Sequence, residues 1–109
     1  MSYRVFTIPP YDKELKRLSK KYHSLKNEYA GLIESLEQNP QQGTPIGNNC
    51  YKIRLAIASK AKGKSGGARV ITHIQVTKTS VYLLSIYDKS EKENIAVEEL
   101  KALLQYIIK

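Results

Sequence analysis

Residues 50–76, CYKIRLAIASKAKGKSGGARVITHIQV, carry the pattern that decides the fold. Two runs rich in β-branched and other apolar residues, Cys50–Ile57 and Ala68–Val76, have the composition of β-strands. The segment between them, Ala58–Gly67, is rich in glycine and lysine, which is typical of a loop. The stretch therefore predicts two strands joined by a basic loop.

The basic residues of this stretch occupy positions that share strand faces. Lys52 and Arg54 are two residues apart and point the same way, and Arg69 shares a face of the next strand with His73. If the two faces coincide, the sheet presents a cationic patch that suits phosphate. The loop adds three lysines that either contact a ligand or are solvated: Lys60, Lys62 and Lys64.

The N-terminal third of the chain predicts a strand followed by helices. Ser2–Ile8 is interpreted as a short strand that ends at a proline pair. Apolar residues then recur alternately every four and three positions, at Tyr11, Leu15, Leu18, Tyr22, Leu25, Tyr29, Leu32 and Leu36. We predict two helices with a bend near His23 and Ser24, because Ser24 suits a helix N-cap. One long helix is the alternative.

The rest of the chain completes an α+β pattern. Gln41–Asn49 is interpreted as a loop, and Ser80–Tyr87 as a buried strand because both of its faces are apolar. A charged turn, Asp88–Asn94, precedes a C-terminal helix. We predict one domain over residues 1–109: a small antiparallel β-sheet with an N-terminal helical hairpin packed on one face and a C-terminal helix.

Composition indicates an anionic partner. The chain has 18 Lys and Arg residues against 10 Asp and Glu, a formal net charge of +8, which favours nucleic acid or an acidic protein. Its single cysteine, Cys50, allows no internal disulfide and fits a reducing cytoplasm. The N-terminus lacks the long apolar run of a signal peptide, so we expect a cytoplasmic protein.

The residue types favour cofactor-free phosphate chemistry. No Cys or carboxylate stands at metal-ligand spacing from either histidine, and we recognise no Ser-His-Asp set. RNA cleavage needs neither, because the 2′-hydroxyl is the nucleophile and fixed cations stabilise the charge that accumulates on phosphorus. A lysine crowded by other cations is a candidate base. Tyr87 is a candidate for stacking on a base or moving a proton.

The chain resembles the RelE/ParE superfamily of bacterial type II toxin–antitoxin toxins, especially its HigB-like branch. The resemblance covers nearly the whole chain and rests on four segments: PPYDKELKRLSKKY, CYKIRL, KGKSGGARVI and YLLSIYDKSEKENI. It implies a RelE-like fold and an mRNA interferase that cuts mRNA on translating ribosomes and leaves a 2′,3′-cyclic phosphate. It also implies a cognate antitoxin, usually encoded nearby, as partner.

The resemblance assigns roles to individual positions. It maps the family's basic cluster onto Lys52, Arg54 and Arg69, and a further basic residue after the last strand onto Lys89. Some members carry a tyrosine in the C-terminal region, where this chain has Ile95. That departure leaves three candidates for the acid and base: Tyr87, Lys89 and His73.

Two other functions remain open on the sequence. A ParE-like toxin shares the fold but inhibits DNA gyrase and needs no phosphate-directed cluster. A non-catalytic RNA-binding module binds RNA with strong salt dependence and leaves it uncut.

Overall fold

A computed structural model describes residues 2–60 and 66–107 of the chain. In chain order these residues form β1 (Arg4–Thr7), α1 (Pro9–Lys21), α2 (Leu25–Gln38), β2 (Thr44–Gly47), β3 (Cys50–Leu55), β4 (Ala68–Gln75), β5 (Ser80–Asp88) and α3 (Val97–Leu104). Single 3-10 turns occupy Ala58–Lys60 and Val76–Lys78. The predicted α+β architecture is confirmed.

One five-stranded sheet, in the order β1-β5-β4-β3-β2, forms the centre of the molecule. β1 runs parallel to β5, and every other neighbouring pair is antiparallel. The three consecutive antiparallel strands predicted from the sequence are β3, β4 and β5. As predicted, β5 is an interior strand, because β1 covers one of its edges and β4 the other.

The N-terminal apolar stripe belongs to two helices, as predicted. α1 begins at a proline pair, which suits the first turn because its amides have no helical partner. Both helices pack on one face of the sheet, which we call the helix face, and fully bury Tyr11, Leu18, Leu25 and Leu36. Ser24 precedes α2, but its hydroxyl bonds the Glu28 carboxylate (3.2 Å) and makes no capping bond to the backbone.

The predicted loop Gln41–Asn49 is partly wrong, because it contains strand β2. β2 and β3 are joined by Asn48 and Asn49, with φ of 55° and 59°. A two-residue hairpin turn requires positive φ at both central residues, and asparagine tolerates it better than most side chains. β2 is an edge strand and therefore accommodates Pro45, which has no amide hydrogen to donate.

A β-bulge in β5 changes which residues share a face. Ile71 pairs with Ser85 and Thr72 pairs with Leu83, so Leu84 is an extra residue on β5. Directly paired residues lie on the same face, so Leu83 points to the helix face while Ser85 points to the other. Simple alternation would have placed both on one face.

Helix α3 confirms the predicted C-terminal helix and lies on the opposite side of the sheet from α1 and α2. Leu100 lines a small cleft with Lys52, and Glu99 lines another with Tyr87. We call this side of the sheet the cleft face, since α3 covers only part of it. Within the two described ranges, no helix is long and apolar enough to cross a membrane.

Gly67 lets β4 begin directly beside β3, and its substitution is expected to destabilise the fold. A Cβ at this position would collide with the carbonyl oxygen of Leu55 and lie 3.1 Å from the Ala56 Cα. We expect Gly67→Ala to lower the free energy of unfolding by about 1–3 kcal/mol, the usual penalty of overpacking. Urea denaturation followed by circular dichroism measures it.

The matched control is Gly31→Ala, in the middle of α2, where an added Cβ meets nothing within 4 Å. Alanine is the better helix former, so this variant should be more stable by about 0.5–1 kcal/mol. Equal stability of the two variants would contradict the close approach at Gly67.

Candidate functional site

The register of β3, β4 and β5 places basic side chains side by side on the cleft face. Arg54 pairs directly with Arg69, and Arg69 pairs directly with Tyr87 on its other side. Lys52 lies two residues from Arg54 on the same face of β3. The basic faces of β3 and β4 therefore coincide, as the predicted cationic patch requires.

These side chains line an open depression of about 320 Å³, which we call the cationic cleft. Its cationic members are Lys52, Arg54, Arg69 and Lys89, and its other lining residues are Thr44, Glu93 and Asn94. Four cationic groups therefore face a single carboxylate. Such a surplus attracts a polyanion and favours phosphate over a neutral ligand.

The four cations differ in how firmly they are held. Arg69 is only 5% exposed, and its Nη1 donates to the Ala68 carbonyl (3.1 Å). Lys52 Nζ donates to Asn94 Oδ1 (3.1 Å), and Lys89 Nζ lies 3.8 Å from the exposed Glu93 carboxylate. Arg54 is exposed and makes no hydrogen bond or ion pair with any described residue. The cleft thus combines one buried guanidinium, that of Arg69, with three cations that are more exposed.

Tyr87 pairs directly with Arg69 but lines a second depression, of about 390 Å³, together with Ser85, Lys92 and Glu99 among others. It is only 4% exposed, and its hydroxyl has no hydrogen-bond partner among the described residues. Burial raises the pKa of Tyr87, with a smaller lowering by Arg69 and a raising by Glu99. The phenol therefore keeps its proton at neutral pH.

His73 lies on the cleft face but outside the cationic cleft. It lies four positions after Arg69 on β4, a distance of about 13 Å along an extended strand. Its Nδ1 donates to the Asn48 carbonyl (2.9 Å), and it lines a different depression beside the Val76–Lys78 turn. Burial lowers the pKa of His73, more than the bond to Asn48 raises it, which favours the neutral ring.

The remaining predicted positions divide into two groups. Lys62, Lys64 and the side chain of Lys60 lie outside the described residues, so their contacts stay a prediction. Ile95 packs against the core and lines an apolar cleft of about 120 Å³ with the Lys52 side chain. An aliphatic residue here supports the Lys52 stem but offers no proton.

Sequence reasoning missed three residues of the cleft: Thr44, Glu93 and Asn94. Thr44 was missed because β2 was interpreted as a loop, although the Asn48–Asn49 pair is a hairpin signal. Glu93 and Asn94 lie beyond the end of β5, where no strand or helix periodicity indicates the direction of a side chain.

We expect His73 to make stability depend on pH. Its folded pKa lies below the unfolded one, so below about pH 6.5 the unfolded chain binds more protons and the native state loses stability as pH falls. His73→Asn keeps a donor for the Asn48 carbonyl and should make this loss shallower. Urea denaturation at a series of pH values measures the slope.

The control is His23→Asn, at the exposed bend between α1 and α2. This variant should follow the wild-type slope, because an exposed imidazole is hydrated in both states. A wild-type slope in His73→Asn would mean that burial of His73 does not contribute to the pH dependence.

The chain is similar to a known protein family and to several solved structures. Residues 4–107 match the family described as RelE toxin of the RelE/RelB toxin–antitoxin system. A double mutant of the E. coli toxin RelE in the free state superposes with a TM-score of 0.66 and 17% identity, over 99% of this chain and 100% of that one. The isolated E. coli RelE toxin gives 0.57 and 21%, over 95% and 98%.

An archaeal RelE–RelB complex from Pyrococcus horikoshii OT3 gives a TM-score of 0.56 at 17% identity, over 84% of this chain and 100% of that one. At these identities the structures establish a shared fold, and they confirm the RelE-like architecture predicted from the sequence. The family match spans nearly the whole sequence. The chain is therefore a member of the RelE toxin family of toxin–antitoxin systems.

Proposed function

We propose that this RelE-family toxin is a ribosome-dependent mRNA endonuclease, a metal-independent mRNA interferase that stops translation by cutting mRNA. The observation that carries the proposal is the cationic cleft, where four cationic side chains converge and one carboxylate faces them. The two directly paired arginines within this surplus suit the bidentate binding of phosphate oxygens.

The proposed reaction is an attack by the substrate on itself. The 2′-hydroxyl adds to the adjacent phosphorus, the bond to the 5′-oxygen breaks, and a 2′,3′-cyclic phosphate remains. The phosphorane carries more negative charge than the phosphodiester, so cations in fixed positions stabilise it more than the ground state. Arg54 and Arg69 suit this role because a guanidinium stays charged and donates two parallel hydrogen bonds to phosphate oxygens.

Proton transfer requires a different kind of side chain. We assign Tyr87 as the acid that protonates the leaving 5′-oxygen, because it pairs with Arg69 and holds its proton at neutral pH. Lys52 and Lys89 are the amines that line the cleft, and we assign the role of base toward the 2′-hydroxyl to one of them. His73 lies too far along β4 to do so.

Removal of Arg69 tests the proposal directly. With purified toxin, a defined mRNA and primer extension, we expect cuts only when programmed ribosomes are present. Arg69→Ala should slow cutting by about 10²- to 10³-fold, the usual loss when one fixed donor to a developing anion is removed. Tyr87→Phe should lower the rate while leaving binding to ribosomes unchanged.

The matched control is Arg4→Ala, an exposed arginine on the far edge strand of the sheet, which should cut like the wild type. Full activity in Arg69→Ala would contradict the site assignment. Growth arrest with DNA damage signalling and uncut mRNA would favour a gyrase inhibitor. Salt-sensitive RNA binding without cutting would favour the non-catalytic RNA-binding module.

We further propose that the toxin pairs with a cognate antitoxin, and its net charge of +8 supports an acidic partner. Solved structures of relatives with the same fold include an archaeal RelE–RelB complex and an E. coli RelE mutant bound to a RelB peptide. Co-expression of the antitoxin encoded beside the toxin should relieve growth arrest and yield a complex that resists dissociation at moderate salt. Continued arrest with both proteins present would count against this pairing.

A further inference from the structure

We propose that Asp88 is a positioning residue, whose buried carboxylate fixes the turn that carries Lys89 into the cationic cleft. The inference rests on the proposed nuclease function. Asp88 is the last residue of β5 and is fully buried, which is unusual for a carboxylate. A buried charge is tolerated only where several groups bond it, so its partners indicate what it holds together.

The two carboxylate oxygens of Asp88 serve two different elements. Oδ1 accepts hydrogen bonds from the amide (2.9 Å) and the hydroxyl (2.7 Å) of Ser90, in the turn that follows β5. Oδ2 accepts one from the Tyr22 hydroxyl (2.6 Å) and lies 3.6 Å from Lys21 Nζ, both at the end of α1. One side chain therefore ties the turn to the helix layer.

The backbone of the same turn is anchored at both ends. The Asp88 carbonyl accepts from the amides of Glu91 (3.0 Å) and Lys92 (3.1 Å), which closes one helical turn. The Lys89 amide donates to the Gly67 carbonyl (3.0 Å), two residues before Arg69. Lys89 is thereby held beside the strand that supplies the buried arginine of the cleft.

This turn sends two lysines in different directions. Lys89 lines the cationic cleft, whereas Lys92 lies over the Tyr87 ring (5.2 Å from its centroid) and bonds the Glu99 carboxylate (2.6 Å). A rotation of the turn would displace both lysines from their places beside Arg69 and Tyr87. Misplacement of about 1 Å in a catalytic group is enough to slow a reaction by about 10²-fold.

Glu91 lies in the same turn but, unlike the buried Asp88, it forms its ion pairs at the surface. Its carboxylate lies at the surface, where it accepts from Arg17 (2.8 Å) and Lys21 (3.2 Å). Ion pairs between exposed side chains contribute little and are screened by salt. Glu91→Gln is therefore the matched control, because it removes an exposed carboxylate charge from the same turn and leaves the hydrogen bonds of Asp88 with Ser90 and Tyr22 in place.

A double-mutant cycle with Lys89 distinguishes positioning from a merely structural role. In the primer-extension assay with programmed ribosomes, Asp88→Asn should lower kcat by about 10- to 100-fold with little change in KM. In a Lys89→Ala background the same change should lower kcat less than about threefold, because the group it positions is already gone. Glu91→Gln should cut like the wild type.

Equal losses in both backgrounds, or no loss in Asp88→Asn, would overturn the inference. If Asp88→Asn fails to fold, Ser90→Ala replaces it, since that change removes the hydroxyl bond to Asp88 on the turn side and keeps the amide bond. An independent readout is amide hydrogen exchange, which should quicken at Lys89 and Lys92 in either variant while mid-strand amides of β4 keep their protection.

Different results would contradict the proposed nuclease function and the positioning role of Asp88. If the wild-type toxin does not cut mRNA on ribosomes, the proposed function is wrong, whatever the turn does. If the wild type cuts and Arg69→Ala does not, but Lys89 exchange is unchanged by Asp88→Asn, the function stands and the positioning role of Asp88 is wrong.

Discussion

The direct pairing of Arg54 with Arg69 across β3 and β4 is the constraint on which the rest of the structure depends. Like charges that face each other across neighbouring strands repel, and Arg69 is also largely removed from water. A sequence selected only for stability would separate them. The pair persists because the opposite face of the same strands belongs to the apolar core, in which Val70 and Ile53 are buried. The helix face supplies stability, and the cleft face can therefore carry charge.

Three local features determine how the side chains on the cleft face are arranged. The bulge at Leu84 lets β5 bury Leu83 against the helices and still direct Tyr87 toward Arg69. Gly67 allows β4 to begin in close contact with β3, so that the two arginines meet in register. The buried Asp88 network then fixes where the chain goes after β5. Gly67 and Asp88 act at the same end of the sheet, where Ala68 pairs with Asp88, and the cationic groups converge there.

Much of this arrangement follows from sequence pattern, and the exceptions have physical reasons. The periodicity of the apolar residues predicts α1, α2 and the three antiparallel strands, since burial of one face leaves a strong signal. The same alternation places Arg54 and Arg69 on basic faces. It does not reveal the bulge, because the extra residue Leu84 is as apolar as Leu83 before it. It also does not show that His73 lies outside the cleft. Alternation along β4 determines the face on which a residue lies, but not its distance from Arg69. β2 is short, lies at an edge and contains proline, so it carries too few apolar residues to be distinguished from a loop.

In the proposed reaction, the role of each side chain follows from whether it can gain or lose a proton. Guanidinium groups stay protonated at any physiological pH, so Arg54 and Arg69 can only stabilise charge and orient phosphate oxygens. A cleft built of arginine alone would bind the phosphodiester and its phosphorane without moving a proton between them. In the proposed reaction Tyr87 supplies that proton, since it is buried beside Arg69 and its hydroxyl has no hydrogen bond to any described residue. Burial that keeps the phenol protonated also prevents it from neutralising the arginine next to it. In the proposed reaction the cationic groups and the proton donor therefore occupy adjacent positions on two strands, where negative charge and a proton meet at one phosphate.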